Sequence, residues 1–208
     1  MTEEISEGLV QGTLHKSALP AAAAIVLAHG AGSSSQAKLL VALSAAFAEA
    51  RMDALRVDLP FRQGGRTGPP HPSGAARDRE GLRQAAAWLR RDHERVFIGG
   101  HSYGGRQASM LLADDPACAD ALLLLSYPLH PPRKPGQLRT EHLPKVVVPT
   151  LFVHGTRDPF GTPDEIRAAV HLIPGRTELY IVNGAGHELK PVLQDPSEVV
   201  QRFGISAT

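Results

Sequence analysis

"IGGHSYGGR", residues 98–106, ends an apolar run and opens a stretch whose apolar residues fall at helical spacing. Within it, "GHSYG" is a Gly-x-Ser-x-Gly motif centred on Ser102. The motif is short enough to arise by chance, so its surroundings decide its meaning. A serine on a sharp strand-to-helix turn adopts strained backbone angles. Small neighbours, here Gly100 and Gly104, are required because larger side chains would collide across the turn. Such a turn lifts the hydroxyl above the sheet edge, beside the N-terminus of the next helix. The alternative is a glycine-rich connection with an incidental serine.

A neutral hydroxyl attacks poorly, so a nucleophilic Ser102 needs a base and an acid to orient it. In a fold with this turn, the partners follow in the order serine, acid, histidine, each on a loop after a later strand. "LFVHGTRDPFG" places Asp158 just past one apolar run, and "YIVNGAGHEL" places His187 just past the last. Asp158 would orient the imidazole and stabilise its charged form, while His187 would take and return the proton. Each has a plainer reading. Asp158 could cap the helix opening near Pro163, where Asp164 is a further acidic candidate, and His187 could be one surface histidine among ten. Glu188, beside it, reads as solvated. An oxyanion hole is also needed, with one N–H from Tyr103 and the other from the loop "LAHGAGSSS". Ala31 is the expected donor there, with Gly32 in reserve.

Outward from these motifs, short apolar runs alternate with helical patterns. Strands are expected at "AAAAIVLAHG", "DALRVDLP", "ERVFIGGHS", "ADALLLLSYP", "VPTLFVHGTRD" and "RTELYIVNGAGH", with "EGLVQGTLHKS" as an edge hairpin strand. Helices are expected at "SSSQAKLLVALSAAFAEAR", "ARDREGLRQAAAWLRRDH", "YGGRQASMLLAD", "TPDEIRAAVHLIP" and "DPSEVVQRF". Continuous apolar strands alternating with helices imply an α/β fold, a mostly parallel sheet with helices on both faces. Two segments rich in Pro, Gly and Arg, "FRQGGRTGPPHPSG" and "PLHPPRKPGQLRTEHLPKVVVP", read as long loops at the carboxyl ends of strands. The second is too short and too proline-rich for a helical cap, though it could fold over the site as a stiff flap.

Composition bounds the rest. The 208 residues are 42% hydrophobic and 21% charged, which suits one domain over 1–208. A net charge of +1 gives no nucleic-acid or membrane-binding surface. The acidic start "MTEEISEG" has no apolar core behind it and does not read as a signal peptide, and a single cysteine, Cys118, fits a reducing, cytoplasmic setting. Nothing in the chain fixes an oligomeric state. No His/Asp/Glu spacing resembles a metal site, and acyl transfer needs no cofactor. The glycines of "IVLAHGAGSSS" imitate a dinucleotide fingerprint, but Ser35 stands at its third glycine.

Together, "HGAG", "GHSYGGR", "HGTRDPFG" and "GAGH" give a chain that resembles the α/β-hydrolase superfamily from about residue 20 to about 203. Among its members it is most similar to a small, lid-less group related to dienelactone hydrolases. The resemblance implies an α/β-hydrolase fold with no large lid. Its serine departs from the cysteine of dienelactone hydrolase itself. The reading is a serine hydrolase acting on small soluble esters through an acyl-enzyme; the alternative is a binding or scaffold protein that keeps the fold without catalysis. Peptide bonds are a third possibility within acyl transfer. Arg62 and Arg66 are the candidates to grip a substrate carboxylate, against the plainer reading of solvated charge or pairing with Asp58, Asp78 or Glu141. Phe160, with Tyr127 and Pro128, is expected in the acyl-side wall.

Overall fold

The computed structural model describes residues 1–207 and builds them around one eight-stranded sheet. In chain order the strands are β1 (Thr2–Glu7), β2 (Val10–His15), β3 (Ala23–Ala28), β4 (Met52–Val57), β5 (Arg95–His101), β6 (Leu122–Leu125), β7 (Thr150–Gly155) and β8 (Thr177–Val182). They lie in the order β1-β2-β4-β3-β5-β6-β7-β8. All neighbours from β4 to β8 are parallel, while β1–β2 and β2–β4 are antiparallel. This is the expected mostly parallel α/β architecture.

The apolar runs explain why the middle of the sheet is buried on both faces. Successive side chains of a strand point to opposite sides, so a continuous apolar run feeds two cores. Val26, Ile98, Leu122 and Leu124 join the core formed with helices α2 (Ala75–Leu89), α3 (Tyr103–Asp114) and α4 (Pro163–Val170). Ile25, Leu27, Phe97, Leu123 and Leu125 join the other, with α1 (Lys38–Glu49), α5 (Lys190–Gln194) and α6 (Ser197–Ser206). Four consecutive leucines therefore form β6 despite their helical propensity. Burial on both sides outweighs the intrinsic preference.

Three local expectations change. "EGLVQGTLHKS" supplies β2, which is not the edge: it lies between β1 and β4. The edge is β1, from the acidic start, where Ile5 alone is buried. Glu7 ties β1 to α2 by accepting from Trp88 Nε1 at 3.0 Å and from Arg91. Helix α1 begins at Lys38 rather than among the serines, because residues 30–37 form a longer connection. A short helix, α5, follows Leu189 where none is expected.

The proline-rich segment after β6 carries only a 3-10 turn at Leu143–Lys145. It lies down against the body and forms no flap over the site. Tyr127 Oη donates to the Arg139 carbonyl at 2.6 Å, Arg139 Nη1 donates to the Pro128 carbonyl, and Leu143 is fully buried. The fold thus has no large lid. Among the described residues no helix is long and apolar enough to cross a membrane.

Candidate active site

Because β3, β5, β7 and β8 are parallel, their carboxyl ends lie along one edge, and the loops leaving them meet there. The helix after β3 packs on one face and the helix after β5 on the other. Ser102 stands at that divergence, where open α/β sheets form their crevices.

Ser102 leaves β5 with φ 53° and ψ −116°, a left-handed backbone that a serine holds only under constraint. The constraint is the close approach of β5, α3 and β3. A Cβ on Gly100 would lie 2.5 Å from the Ala28 carbonyl oxygen, and one on Gly104 would lie 2.6 Å from that of His29. Only glycine lets these segments meet.

The three residues expected to act together are brought together. Ser102 Oγ lies 2.9 Å from His187 Nε2, and His187 Nδ1 lies 2.8 Å from Asp158 Oδ2. The carboxylate accepts at Nδ1–H, which selects the tautomer whose Nε2 accepts a hydrogen bond from the Ser102 hydroxyl. Asp158 is buried, and its Oδ1 accepts the Phe160 N–H at 2.9 Å. Burial alone would raise its pKa, but the hydrogen bond and charge of His187, with the Phe160 N–H, hold it below the ordinary carboxylate range. Asp164 lies apart from this group, paired to Arg167 at the surface.

Two buried histidines brace the loops. His101 Nε2 donates to the His187 carbonyl at 2.8 Å, and its ring centroid is 4.8 Å from that of His187. Burial, foremost, keeps His101 neutral by lowering its pKa. His29 Nε2 accepts the Leu59 N–H at 3.1 Å, so its Nδ1 carries the proton that reaches the Gly30 carbonyl at 2.8 Å. The same carbonyl accepts from Ser33 N and Ser33 Oγ, which locks the Gly30–Ala31 peptide. The Ala31 N–H, on the other side of that peptide, has no acceptor among the described residues. These bracing roles are not visible in sequence beyond each histidine's place within "HGAG" and "GHSYG".

A cleft of about 680 Å³ opens over Ser102 and His187. Its floor includes Gly30, Ala31 and His101; Leu39, Leu40, Leu193 and Phe160 supply apolar wall; Lys38, Glu188 and Lys190 stand at its rim. The Phe160 ring lies 4.4 Å from that of His187. Neither Arg62 nor Arg66 lines this cleft; both face a neighbouring depression with Asp58 and Gln63. Arg62 pairs with none of Asp58, Asp78 or Glu141, and instead gives its N–H groups to four backbone carbonyls. Tyr127 is buried against Phe152 away from the cleft. The Tyr103 ring also turns aside. It stacks edge-on to Phe61, and its hydroxyl donates to buried Asp78 at 2.7 Å. Burial first, then Asp78, push the ionisation of that phenol upward. Among the described residues no three His, Cys, Asp or Glu side chains gather as metal ligands would.

Residues 21–203 match the family described as alpha/beta hydrolase domain. The chain belongs to the alpha/beta hydrolases. Solved structures agree on the fold of this hydrolase. Dienelactone hydrolase from Anabaena variabilis superposes with a TM-score of 0.78 at 20% identity, covering 99% of this chain and 98% of that one. Est1E from Butyrivibrio proteoclasticus gives 0.77 at 16% identity over 99% and 98%. XC6422 from Xanthomonas campestris, described as a serine hydrolase without lid, gives 0.75 at 16% identity over 93% and 87%.

Proposed function

We propose that residues 1–208 form one catalytic domain that hydrolyses esters of small, soluble acyl compounds, with Ser102, His187 and Asp158 as its triad. The observation that carries this reading is the continuous contact from Ser102 Oγ through His187 to buried Asp158 at 2.9 and 2.8 Å. On this reading His187 Nε2 takes the hydroxyl proton as Ser102 Oγ bonds to the ester carbonyl carbon. The carbonyl oxygen becomes an oxyanion held by the N–H groups of Ala31 and Tyr103. As it collapses, the bond to the alcohol oxygen breaks and His187 returns the proton to that oxygen. The acyl-enzyme is then attacked by a water that His187 deprotonates. The acid leaves, and Ser102 regains its proton.

The cleft supports this substrate class. Its volume suits a small molecule, its walls are apolar near Phe160 and Leu193, and its rim carries both signs of charge. Est1E is also known with ferulic acid bound, a small aromatic acid, which fits the same scale of ligand. A polypeptide or nucleic acid is not needed as partner, and no cofactor enters the reaction. A reducing, cytoplasmic setting accords with the one cysteine, Cys118, which is unpaired and whose thiol burial, foremost, pushes up to about 11.

The test is labelling with a fluorophosphonate, located by peptide mass spectrometry, with Ser102→Ala as control. A phosphonyl adduct on Ser102 that is lost in the variant, together with turnover of short-chain aryl esters, is the expected result. A folded protein that takes no label and turns over no ester would overturn the reading in favour of a non-catalytic binding protein.

A further inference from the structure

Arg62 is half-buried, carries a full charge, and has no carboxylate within ion-pairing distance among the described residues. Four carbonyl oxygens surround its guanidinium instead. Nε–H donates to Ser33 O at 2.8 Å, Nη1 to Arg66 O at 2.9 Å, and Nη2 to Ala31 O at 2.9 Å and Gly68 O at 3.1 Å. Two of these acceptors belong to the loop after β3 and two to its own loop. That second loop, 62–68, coils about its own arginine through three glycines at positive φ, Gly64, Gly65 and Gly68.

A planar guanidinium presents its donors in a fixed fork, so four bonds to it fix four peptide planes relative to one another. The two planes that matter flank Ala31. The Gly30–Ala31 peptide is held through its carbonyl by His29 and Ser33, and the Ala31–Gly32 peptide is held through its carbonyl by Arg62. A peptide is planar and trans, so the Gly30 carbonyl, held by His29 and Ser33, sets the direction of the Ala31 N–H in the same plane, and Arg62 anchors the chain on the other side of Ala31. Arg62 also holds Ser33 O, whose residue closes the same turn by donating to Gly30 O at 3.2 Å. Without the fork, the 30–33 turn loses its anchors at Ala31 O and Ser33 O, and the Ser33 bonds that lock the Gly30–Ala31 peptide loosen with it. The reordering of that peptide then falls on the step in which the oxyanion forms, where preorganisation matters most.

We infer that Arg62 is a positioning residue for the reaction, a clasp that holds the 30–33 turn on which the Ala31 N–H is set toward the developing oxyanion and spends its charge on the protein's own backbone. This rests on the serine-hydrolase reading above. Contacts made only in the transition state govern kcat, whereas uniform binding contacts govern KM.

The experiment compares Arg62→Ala, Arg62→Lys and, as a stability control remote from the cleft, Arg90→Ala, which loses an ion pair to Asp120 at 2.8 Å. With p-nitrophenyl acetate, Arg62→Ala should lower kcat about ten- to a hundredfold, with KM changed by less than about twofold. Its affinity for a trifluoromethyl ketone, which forms a tetrahedral adduct on Ser102, should fall in parallel with kcat/KM. Millimolar methylguanidinium should restore part of the lost kcat. Arg62→Lys should lie between the alanine variant and the native protein, and Arg90→Ala should keep native kcat despite a lower Tm. Unchanged kcat in Arg62→Ala overturns the inference while leaving the triad standing. So does a rise in KM confined to anionic esters, or a kcat loss matched by Arg90→Ala. A native protein that neither takes the phosphonate nor turns over esters overturns the serine-hydrolase reading, and this one with it.

Discussion

At Asp158 a single buried carboxylate makes two hydrogen bonds with different consequences. Oδ1 accepts from the Phe160 N–H, which fixes the carboxylate, and Oδ2 accepts from His187, which fixes the imidazole. Asp158→Asn keeps the shape but offers an amide N–H or carbonyl where a charge stood. On the proposed triad reading, that removes the stabilisation of imidazolium and permits the wrong tautomer. The variant should fold and bind substrate with little change in KM, but kcat should fall by up to about ten-thousandfold; steady-state kinetics on an aryl ester measures both. Residues of this kind are legible in sequence because each is announced by what precedes it: an apolar run, then a small-residue turn. Arg62 is illegible in the same text. Its partners are carbonyl oxygens, which every residue possesses, and two of them lie on a loop some thirty positions away. Nothing in a residue's identity marks its main chain as an acceptor for a distant side chain. Loop position alone therefore suggests substrate binding. Tyr127 misleads for a related reason, since its place after a strand does not reveal that Phe152 and the Arg139 carbonyl draw it inward.

The elements show where pattern suffices and where it does not. The β5–turn–α3 unit is readable because its geometry demands glycine at fixed offsets from the serine. Gly104→Ala should push α3 off β3, since the added methyl meets Ala28 and His29 backbone at 2.6–2.7 Å. Overpacking of this kind costs about 1–3 kcal/mol, or roughly 3–10 °C in Tm at this chain length. Gly74→Ala, whose methyl meets nothing within 4 Å, is the matched control and should leave Tm nearly unchanged in the same calorimetric scan. The start of α1 is less readable. "SSSQ" offers several capping residues, yet Ala37 is the N-cap and makes no side-chain bond, because tertiary contacts occupy the serines: the Ser35 N–H goes to Asp58 and the Ser33 carbonyl to Arg62. Strand β1 is hidden by its charge. An edge strand exposes one face and one rim, so a sequence with a single buried residue, Ile5, suffices to form it.

Across the whole molecule, acid should weaken the fold earlier than its carboxylates alone would require. His29, His101 and His154 are buried and His142 half-buried, and burial is the first cause lowering the pKa of each, with His142 brought to about 4. The unfolded chain takes these protons near 6.5, the native fold only at lower pH. Between the two values the unfolded state binds more protons, so stability is full above about 6.5 and falls as pH drops, by up to about 1.4 kcal/mol per pH unit for each such group. Asp158 adds its own loss only at lower pH, once its depressed carboxyl begins to protonate. Thermal midpoints between pH 7 and 4.5 should therefore fall steadily, and His142→Gln, which removes one of the four groups, should flatten the curve.

The segment after β6 gives this hydrolase a particular economy of motion. Its proline-rich chain is stitched to its own backbone and to Phe160, and Leu143 anchors it in the core, so it contributes no residue to the cleft wall. Entry and exit then require no door to swing. On the proposed reading a ligand meets standing walls, and selection rests on the fit of a shape to Phe160, Leu39 and Leu193 and on the charges at the rim. An open trough also leaves water a free path to Ser102, as the proposed hydrolysis requires.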